Sequence, residues 1–286
     1  MARPALAAFL CTVISAAPAG AQPLEGRLQT VHDTATLRIA YRADSRPFSF
    51  VNPQGQPVGY TIELCERIAA SLERQLALPS LAIKWVPVTT QTRFESVSTG
   101  LADMECGSSS VSLSRMKVVD FSSLVFADST GLLVKANTGL NSFETLAGKR
   151  IGLVPGSTNA QAIRDQLERR KLTATLVEFS DRDKGFAALT QGMVDGFATD
   201  KLVLRALMQR ANSRELVLLP EDLSFEPFAI VLPRGDWAFR LAVNTGLAQT
   251  FRSGEVLQIY NKYFADLGFR PSVWLGAVFT FGSLPP

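Results

Sequence analysis

A run of serines that ends in an arginine is the first stretch of the chain with residues suited to binding chemistry. Residues 103–115 leave a short apolar segment and break at Gly107. The hydroxyls of Ser108 and Ser110 follow the break, and Arg115 then supplies a planar fork of donors that matches a carboxylate. A solvated serine-rich turn beside a surface arginine has the same composition, so the choice depends on the rest of the chain.

The first 21 residues have the composition of a secretory signal peptide. Arg3 gives a positive start, an apolar run occupies residues 5–15, and Ala19-Gly20-Ala21 resembles a cleavage site. The apolar run is too short to span a bilayer. We therefore expect an exported, periplasmic protein whose mature chain begins near Gln22.

Composition excludes several classes of function. About 265 residues remain after cleavage, which is enough for two modest domains. The net charge of the whole chain is +3 with no basic block, which argues against a nucleic-acid partner. His32 is the one histidine, so neither structural zinc nor a histidine-based nucleophile is supported, and no cofactor is expected. Cys65 and Cys106 remain after export, either as a disulfide or as two buried thiols.

Alternating strand and helix patterns predict parallel sheets flanked by helices. A strand at 36–41, a helix from Thr61 to Leu76 and a strand from Leu81 to Thr89 form a βαβ unit. Further strands are predicted at 102–106, 131–135, 150–154, 173–179, 194–198, 215–219 and 228–232. Further helices are predicted at 93–98, 112–118, 159–170, 184–190, 201–210, 237–251 and 255–264.

A short internal sequence repeat, called the echo below, indicates two similar halves. Five residues recur at one constant offset: Phe94, Val97, Gly100, Leu101 and Asp103 match Phe186, Leu189, Gly192, Met193 and Asp195. The same offset pairs Ser108 with Asp200. Because open α/β sheets place ligands beyond the carboxyl ends of their strands, these two residues are predicted to face each other across a cleft.

Polar residues collect at these predicted strand ends. They are Arg42, Thr90, Arg93, Ser108, Ser110, Arg115, Ser157, Thr158, Arg182 and Asp200. Several arginines and one carboxylate suit a ligand with more than one acidic group and one amine, such as an acidic amino acid. The turn at Gly156 opens a helix, whose free N–H groups favour an anion. Surface ion pairs and helix N-caps are the alternative readings of the same residues.

At this point the chain resembles the polar amino-acid-binding proteins of ATP-binding-cassette importers, and among them the periplasmic glutamate/aspartate-binding group. The resemblance extends over about residues 27–266. It is carried by residues 42–50, Gly59-Tyr60, residues 89–93, residues 94–115 with their Glu105-Cys-Gly-Ser108 core, residues 156–158, residues 192–200, Ser253-Gly-Glu255 and Tyr263-Phe264.

The resemblance implies an α/β fold of two lobes, each a mostly parallel sheet flanked by helices, joined by a two-strand hinge. Residues 22–132 and 233–286 would form the first lobe, and residues 133–232 the second. The chain would cross between them near 132–136 and 229–233. The implied protein is a monomer that binds an acidic amino acid and delivers it to a membrane permease.

The resemblance also implies a role for each candidate residue. Arg115 would bind the α-carboxylate of the ligand, together with backbone N–H groups near Ser157 and Thr158. The α-ammonium group would bind Ser108, Ser110 and Asp200, and the side-chain carboxylate would bind Arg42, Thr90 and Arg93.

Two departures from the family pattern concern ligand preference. Arg182 aligns where the glutamate/aspartate group usually has a histidine that contacts the side chain, and Val154 aligns where it usually has a threonine. Arg182 keeps a cationic donor that is longer and does not titrate near neutral pH. A different acidic ligand, or another balance between aspartate and glutamate, is compatible with this change.

Two other functions fit the same fold. One is an exported dehydratase acting on a small carboxylic acid, for which Asp200 is the only candidate general acid. The other is a ligand-sensing protein that docks to a separate receptor. A periplasmic binding protein that closes around an acidic amino acid remains the leading hypothesis.

Overall fold

The computed structural model describes residues 24–268 and 273–285, and the predicted signal peptide lies outside them. The strands are β1 (Thr36–Arg42), β2 (Asp44–Ser45), β3 (Ser49–Val51), β4 (Pro57–Val58), β5 (Ala82–Val88), β6 (Met104–Cys106), β7 (Asp120–Asp128), β8 (Thr130–Lys135), β9 (Arg150–Leu153), β10 (Thr175–Glu178), β11 (Gly196–Asp200), β12 (Leu216–Leu218) and β13 (Glu226–Leu232). The α-helices are α1 (Gly26–Thr34), α2 (Tyr60–Gln75), α3 (Arg93–Ser98), α4 (Thr158–Arg170), α5 (Arg182–Thr190), α6 (Lys201–Arg210), α7 (Trp237–Arg252), α8 (Glu255–Phe264) and α9 (Val273–Gly282).

Ten of the strands named above form two five-stranded sheets, one in each lobe, and β2, β3 and β4 form a smaller three-stranded sheet. The first sheet has the order β5-β1-β6-β13-β7, and the second has the order β10-β9-β11-β8-β12. Strands β5, β1 and β6 are parallel, as are β10, β9 and β11, while the remaining strands run antiparallel to their neighbours. This arrangement confirms the predicted two-lobed α/β fold with mostly parallel sheets.

The chain crosses between the lobes earlier than the sequence predicted. Strand β7 belongs to the first sheet and β8 to the second, so the first crossing is at Ser129 rather than at 132–136. Strand β13 returns to the first sheet, so residues 226–232 were assigned to the wrong lobe. An apolar strand that is buried on both faces carries no pattern that identifies its sheet.

Several predicted elements are confirmed and others were missed. Helices α3, α6 and α8 begin and end where the spacing predicted, whereas the predicted helix at 112–118 is only a 3₁₀ turn at Arg115–Lys117. Strand β7 was missed because Ser122 and Ser123 interrupt its apolar alternation. Helix α9 was missed because its apolar residues leave no polar face to indicate a helical period.

Aromatic side chains pack together beneath the cleft end of the first lobe. The ring of Phe48 is fully buried, with its centroid 4.9 Å from that of Phe126 and 5.1 Å from that of Phe228. Tyr60 joins this cluster and donates from its hydroxyl to the carbonyl of Val125 at 2.9 Å. Phe48 therefore packs in the core, and each such buried ring contributes about 1.5–3 kcal/mol to stability.

A disulfide connects the helix of the predicted βαβ unit to the strand that precedes the serine run. Cys65 in α2 and Cys106 in β6 are bonded, which settles the alternatives left open by the sequence. The bond holds the end of β6 in place immediately before Gly107 and Ser108.

Within residues 24–268 and 273–285, none of the helices is long and apolar enough to cross a bilayer.

Candidate functional site

The predicted site residues come together at the cleft because they occupy facing ends of the two sheets. Arg42 is the last residue of β1, and Asp200 is the last residue of β11. Arg93 and Arg182 are the first residues of α3 and α5, and Thr158 is the first residue of α4. Each side chain therefore lies where a strand ends or a helix begins, as expected for ligand sites in open α/β sheets.

Ser108 and Asp200 face each other across the cleft, as the echo predicted. The hydroxyl of Ser108 donates to Oδ2 of Asp200 at 3.3 Å. Both side chains are buried. This contact joins the first lobe to the second.

Arg182 lies at the centre of the contacts between the lobes. Its Nη2 donates to Oδ2 of Asp200 at 2.8 Å, and its Nε donates to Oγ1 of Thr199 at 2.9 Å. Its Nη1 donates to the hydroxyl of Ser45 in the first lobe, and Nη2 is 3.3 Å from Oγ of Ser108. Every nitrogen of this guanidinium group thus has a partner inside the protein.

Asp200 uses its carboxylate in the cleft and not as a helix cap. Although it precedes α6, its side chain makes no capping hydrogen bond. Oδ1 accepts from Nδ2 of Asn159 at 2.9 Å, and Oδ2 accepts from Arg182 and Ser108. Burial raises the pKa of Asp200 above its usual value, and the charge of Arg182 acts in the opposite direction.

Arg42 is paired with a carboxylate that the sequence reasoning did not select. Its Nε and Nη2 donate to Oδ1 of Asp44 at 3.0 Å and 2.7 Å. Oδ2 of Asp44 accepts from the backbone N–H of Arg182 at 3.1 Å. Burial by itself raises the pKa of Asp44, but the charges of Arg42 and Arg182 bring it down to about 2. The two-residue spacing between Arg42 and Asp44 in the sequence could have indicated that these side chains pair.

Arg93 is buried and incompletely paired. Its Nη1 donates to the carbonyl of Thr90, which is also buried, while its Nε has no hydrogen-bond partner among the described residues. Burial lowers the pKa of Arg93, and the neighbouring charges of Arg42 and Arg115 lower it further. A guanidinium group in this setting favours an incoming anion.

Glu105 lies beneath the same strand end. Its side chain is fully buried, and neither carboxyl oxygen has a hydrogen-bond partner in the described part of the chain. Burial raises the pKa of Glu105, with the charge of Arg93 opposing the increase. Gly107 covers this carboxyl closely, since a Cβ atom at position 107 would be 2.2 Å from Oε1 of Glu105. A larger residue at position 107 would require the Glu105 side chain to shift.

Arg115 bridges the two lobes through backbone carbonyls. Its Nη1 donates to the carbonyl of Ser110 at 2.7 Å, and its Nη2 donates to that of Gly156 at 3.2 Å. The half-buried guanidinium lies 4.8 Å from the ring centroid of Phe94, and that of Arg93 lies 4.4 Å from the same centroid. Within residues 24–268 and 273–285, neither arginine forms an ion pair with a carboxylate.

Ser110 and Thr158 converge on Glu226, a second carboxylate that was missed. The hydroxyl of Ser110 donates to Oε2 of Glu226, and Oγ1 of Thr158 donates to the same oxygen at 2.6 Å. Oε1 accepts from Oγ1 of Thr130 at 3.1 Å and from Oγ of Ser224 at 2.6 Å. Glu226 is buried at the start of β13 and links both lobes at the crossing. It was missed because the predicted strand began at residue 228, which left Glu226 outside it.

Ser157 is a helix N-cap, which was the structural alternative to a ligand-binding role for this residue. Its hydroxyl caps α4 by accepting from the backbone N–H of Ala160 at 3.0 Å, and it donates to the carbonyl of Val154 at 2.7 Å. Gly156 precedes it with φ of +76°, a left-handed conformation that favours glycine. This turn brings the start of α4 to the cleft.

Known proteins resemble this chain over most of its length. It is 30% identical over 263 residues to an L-glutamate/L-aspartate-binding protein of Pseudomonas aeruginosa, covering 91% of this chain and 87% of that one. It is 28% identical over 265 residues to a glutamate/aspartate import solute-binding protein of Escherichia coli, covering 92% and 86%. The structure of an ancestral arginine-binding protein bound to glutamine matches with a TM-score of 0.73 and 26% identity, covering 80% of this chain and 98% of that one.

The family comparison accounts for both the fold and the cleft. Residues 37–266 match the model of the bacterial extracellular solute-binding proteins, family 3. That range contains both five-stranded sheets except for Thr36, the first residue of β1, and all the cleft residues described above. The chain therefore belongs to the family 3 bacterial extracellular solute-binding proteins.

Proposed function

We propose that this protein captures an acidic L-amino acid, glutamate or aspartate, in the periplasm and delivers it to the permease of an ATP-binding-cassette importer. The observation that carries the proposal is a pair of arginines at the cleft, Arg93 and Arg115, that form no ion pair with a carboxylate among the described residues. A ligand with two carboxylates would supply one partner for each.

Burial makes these two arginines suited to binding. A charged group that is removed from water without a partner costs several kcal/mol, and a ligand carboxylate offsets that cost. Arg93 is held in place by Thr90, and Arg115 is held by carbonyls from both lobes. Because both guanidinium groups are already positioned, little side-chain entropy is lost when a ligand binds.

Other cleft contacts support closure of the lobes around the ligand. Ser108 reaches Asp200, and the backbone N–H of Arg182 reaches Asp44, each across the two lobes. Asp200 was also the candidate general acid for a dehydratase, but its carboxylate is occupied by an ion pair with Arg182, which argues against that catalytic role. The relatives named for glutamate and aspartate support the same choice of ligand.

Thermal unfolding of the mature protein against a panel of amino acids tests this proposal. We expect glutamate or aspartate to raise the melting temperature, because a ligand at a hundred times its dissociation constant adds about 2.7 kcal/mol of stability. Glutamine, asparagine, arginine and histidine serve as comparisons. A shift caused by arginine or histidine, with none caused by glutamate or aspartate, would contradict the proposal.

A further inference from the structure

The carboxylate expected to receive the amino group of a ligand is already occupied by the protein. Asp200 accepts from Arg182 at 2.8 Å, from Asn159 at 2.9 Å and from Ser108 at 3.3 Å. The charge of Arg182 stands where an ammonium group would otherwise balance Asp200. The Arg182–Asp200 pair is buried, with 5% of the arginine side chain and 2% of the aspartate side chain exposed.

The other carboxylates near the cleft either already accept hydrogen bonds from the protein or are fully buried. Asp44 is paired with Arg42, and both oxygens of Glu226 accept from hydroxyls. Glu105 has no hydrogen-bond partner among the described residues, but it is fully buried and Gly107 covers it. An ammonium group that enters this cleft would find the charge of Asp200 already paired with that of Arg182.

Two cationic donors of the cleft, Arg93 and Arg115, are by contrast not paired with a carboxylate among the described residues. Nε of Arg93 is buried and unpartnered in the described structure, and Arg115 contacts only the neutral carbonyls of Ser110 and Gly156. These two guanidinium groups, which form no ion pair among the described residues, are therefore the cleft groups that complement the carboxylates of a ligand.

We infer that the site recognises the two carboxylates of its ligand and not the amino group, so that linear dicarboxylates such as glutarate and succinate occupy it. The inference rests on the proposed function, because it concerns the same cleft and the same two arginines. Arg182 is the specificity-determining residue, since it occupies Asp200 and removes the requirement for an ammonium group. Displacing it would leave a buried charge without its partner, which is costly.

Titration calorimetry with matched ligands tests the inference on the mature protein. Glutamate is compared with glutarate, and aspartate with succinate, because each pair differs only in the amino group. We expect the dissociation constants within each pair to agree within about tenfold. Amino acids that bind more than about a hundredfold more tightly than their partners would overturn the inference and leave the proposed function intact. If none of the four ligands binds, the proposed function itself fails.

Arg182→Gln tests the assigned role of the arginine. The substitution releases Asp200 to bind an ammonium group, so the preference for glutamate over glutarate should rise by about tenfold or more. Arg164→Gln is the matched control, since Arg164 lies on the exposed face of α4 and pairs with Glu178. An unchanged ratio in folded Arg182→Gln would overturn the role of Arg182. If that variant fails to fold, the wild-type comparison still decides the inference, because it requires no substitution.

Discussion

The hydroxyl of Ser108 donates to Oδ2 of Asp200 across the cleft, at a distance of 3.3 Å. The two residues are 92 positions apart, which is the offset of the echo between the two halves of the sequence. Equivalent positions of two similar lobes therefore meet at the cleft. Open α/β sheets place their ligand sites beyond such strand ends.

Arg115→Ala should strongly weaken the binding of every amino-acid ligand. Arg115 is held by the carbonyls of Ser110 and Gly156, so its loss removes a charged donor from both lobes. Loss of a partly buried charged contact costs roughly 3 kcal/mol, or about a hundredfold in affinity. Titration calorimetry with glutamate measures the effect, and Arg164→Ala is the control. Binding at full affinity by Arg115→Ala would disprove the assignment.

Arg93→Ala should weaken acidic ligands far more than neutral ones. Arg93 is buried beside the cleft with its Nε unpartnered among the described residues, so it is available to a side-chain carboxylate. We expect glutamate affinity to fall by about a hundredfold. Glutamine affinity should change by less than about threefold. Calorimetry with the two ligands measures the difference, and equal losses for both would indicate a general structural effect instead.

Asp44→Asn should flatten the acid dependence of stability. The pKa of Asp44 is about 2 in the folded protein, below its usual value of 3.8, because of Arg42 and Arg182. A lowered folded pKa adds stability that is present above about pH 4 and is lost as the pH falls towards 2. The wild type should therefore lose about 2 kcal/mol more than the variant over that range. Urea unfolding at several pH values between 5 and 2 measures this, and parallel curves would contradict it.

Replacing Cys65 and Cys106 by alanine should lower the free energy of unfolding. The disulfide joins residues separated by 41 positions, so it restricts the unfolded chain. Loop-closure entropy for that length predicts a loss of roughly 4 kcal/mol. Urea unfolding of the double variant should match that of the reduced wild type. A loss of less than about 1 kcal/mol would mean that removing the disulfide gives the unfolded chain little additional conformational freedom.

The sequence by itself determined the two-lobed α/β fold and most positions of the candidate site. Apolar spacing located helices such as α3 and α6, and turn residues separated them from the strands. Because parallel strands end at the same edge of a sheet, the polar residues at those ends could be grouped before any contact was known. The echo then identified Ser108 and Asp200 as facing residues.

Only the tertiary structure decided which charge pairs with which. Arg42 pairs with Asp44, and Arg182 pairs with Asp200, so two arginines expected near a ligand are neutralised within the protein. The structure also assigned β13 to the first sheet and thereby brought Glu226 to the cleft. Periodicity records which face of an element is buried, but pairing depends on distances of a few ångströms between side chains from separate elements. Those distances exist only once the two lobes have packed.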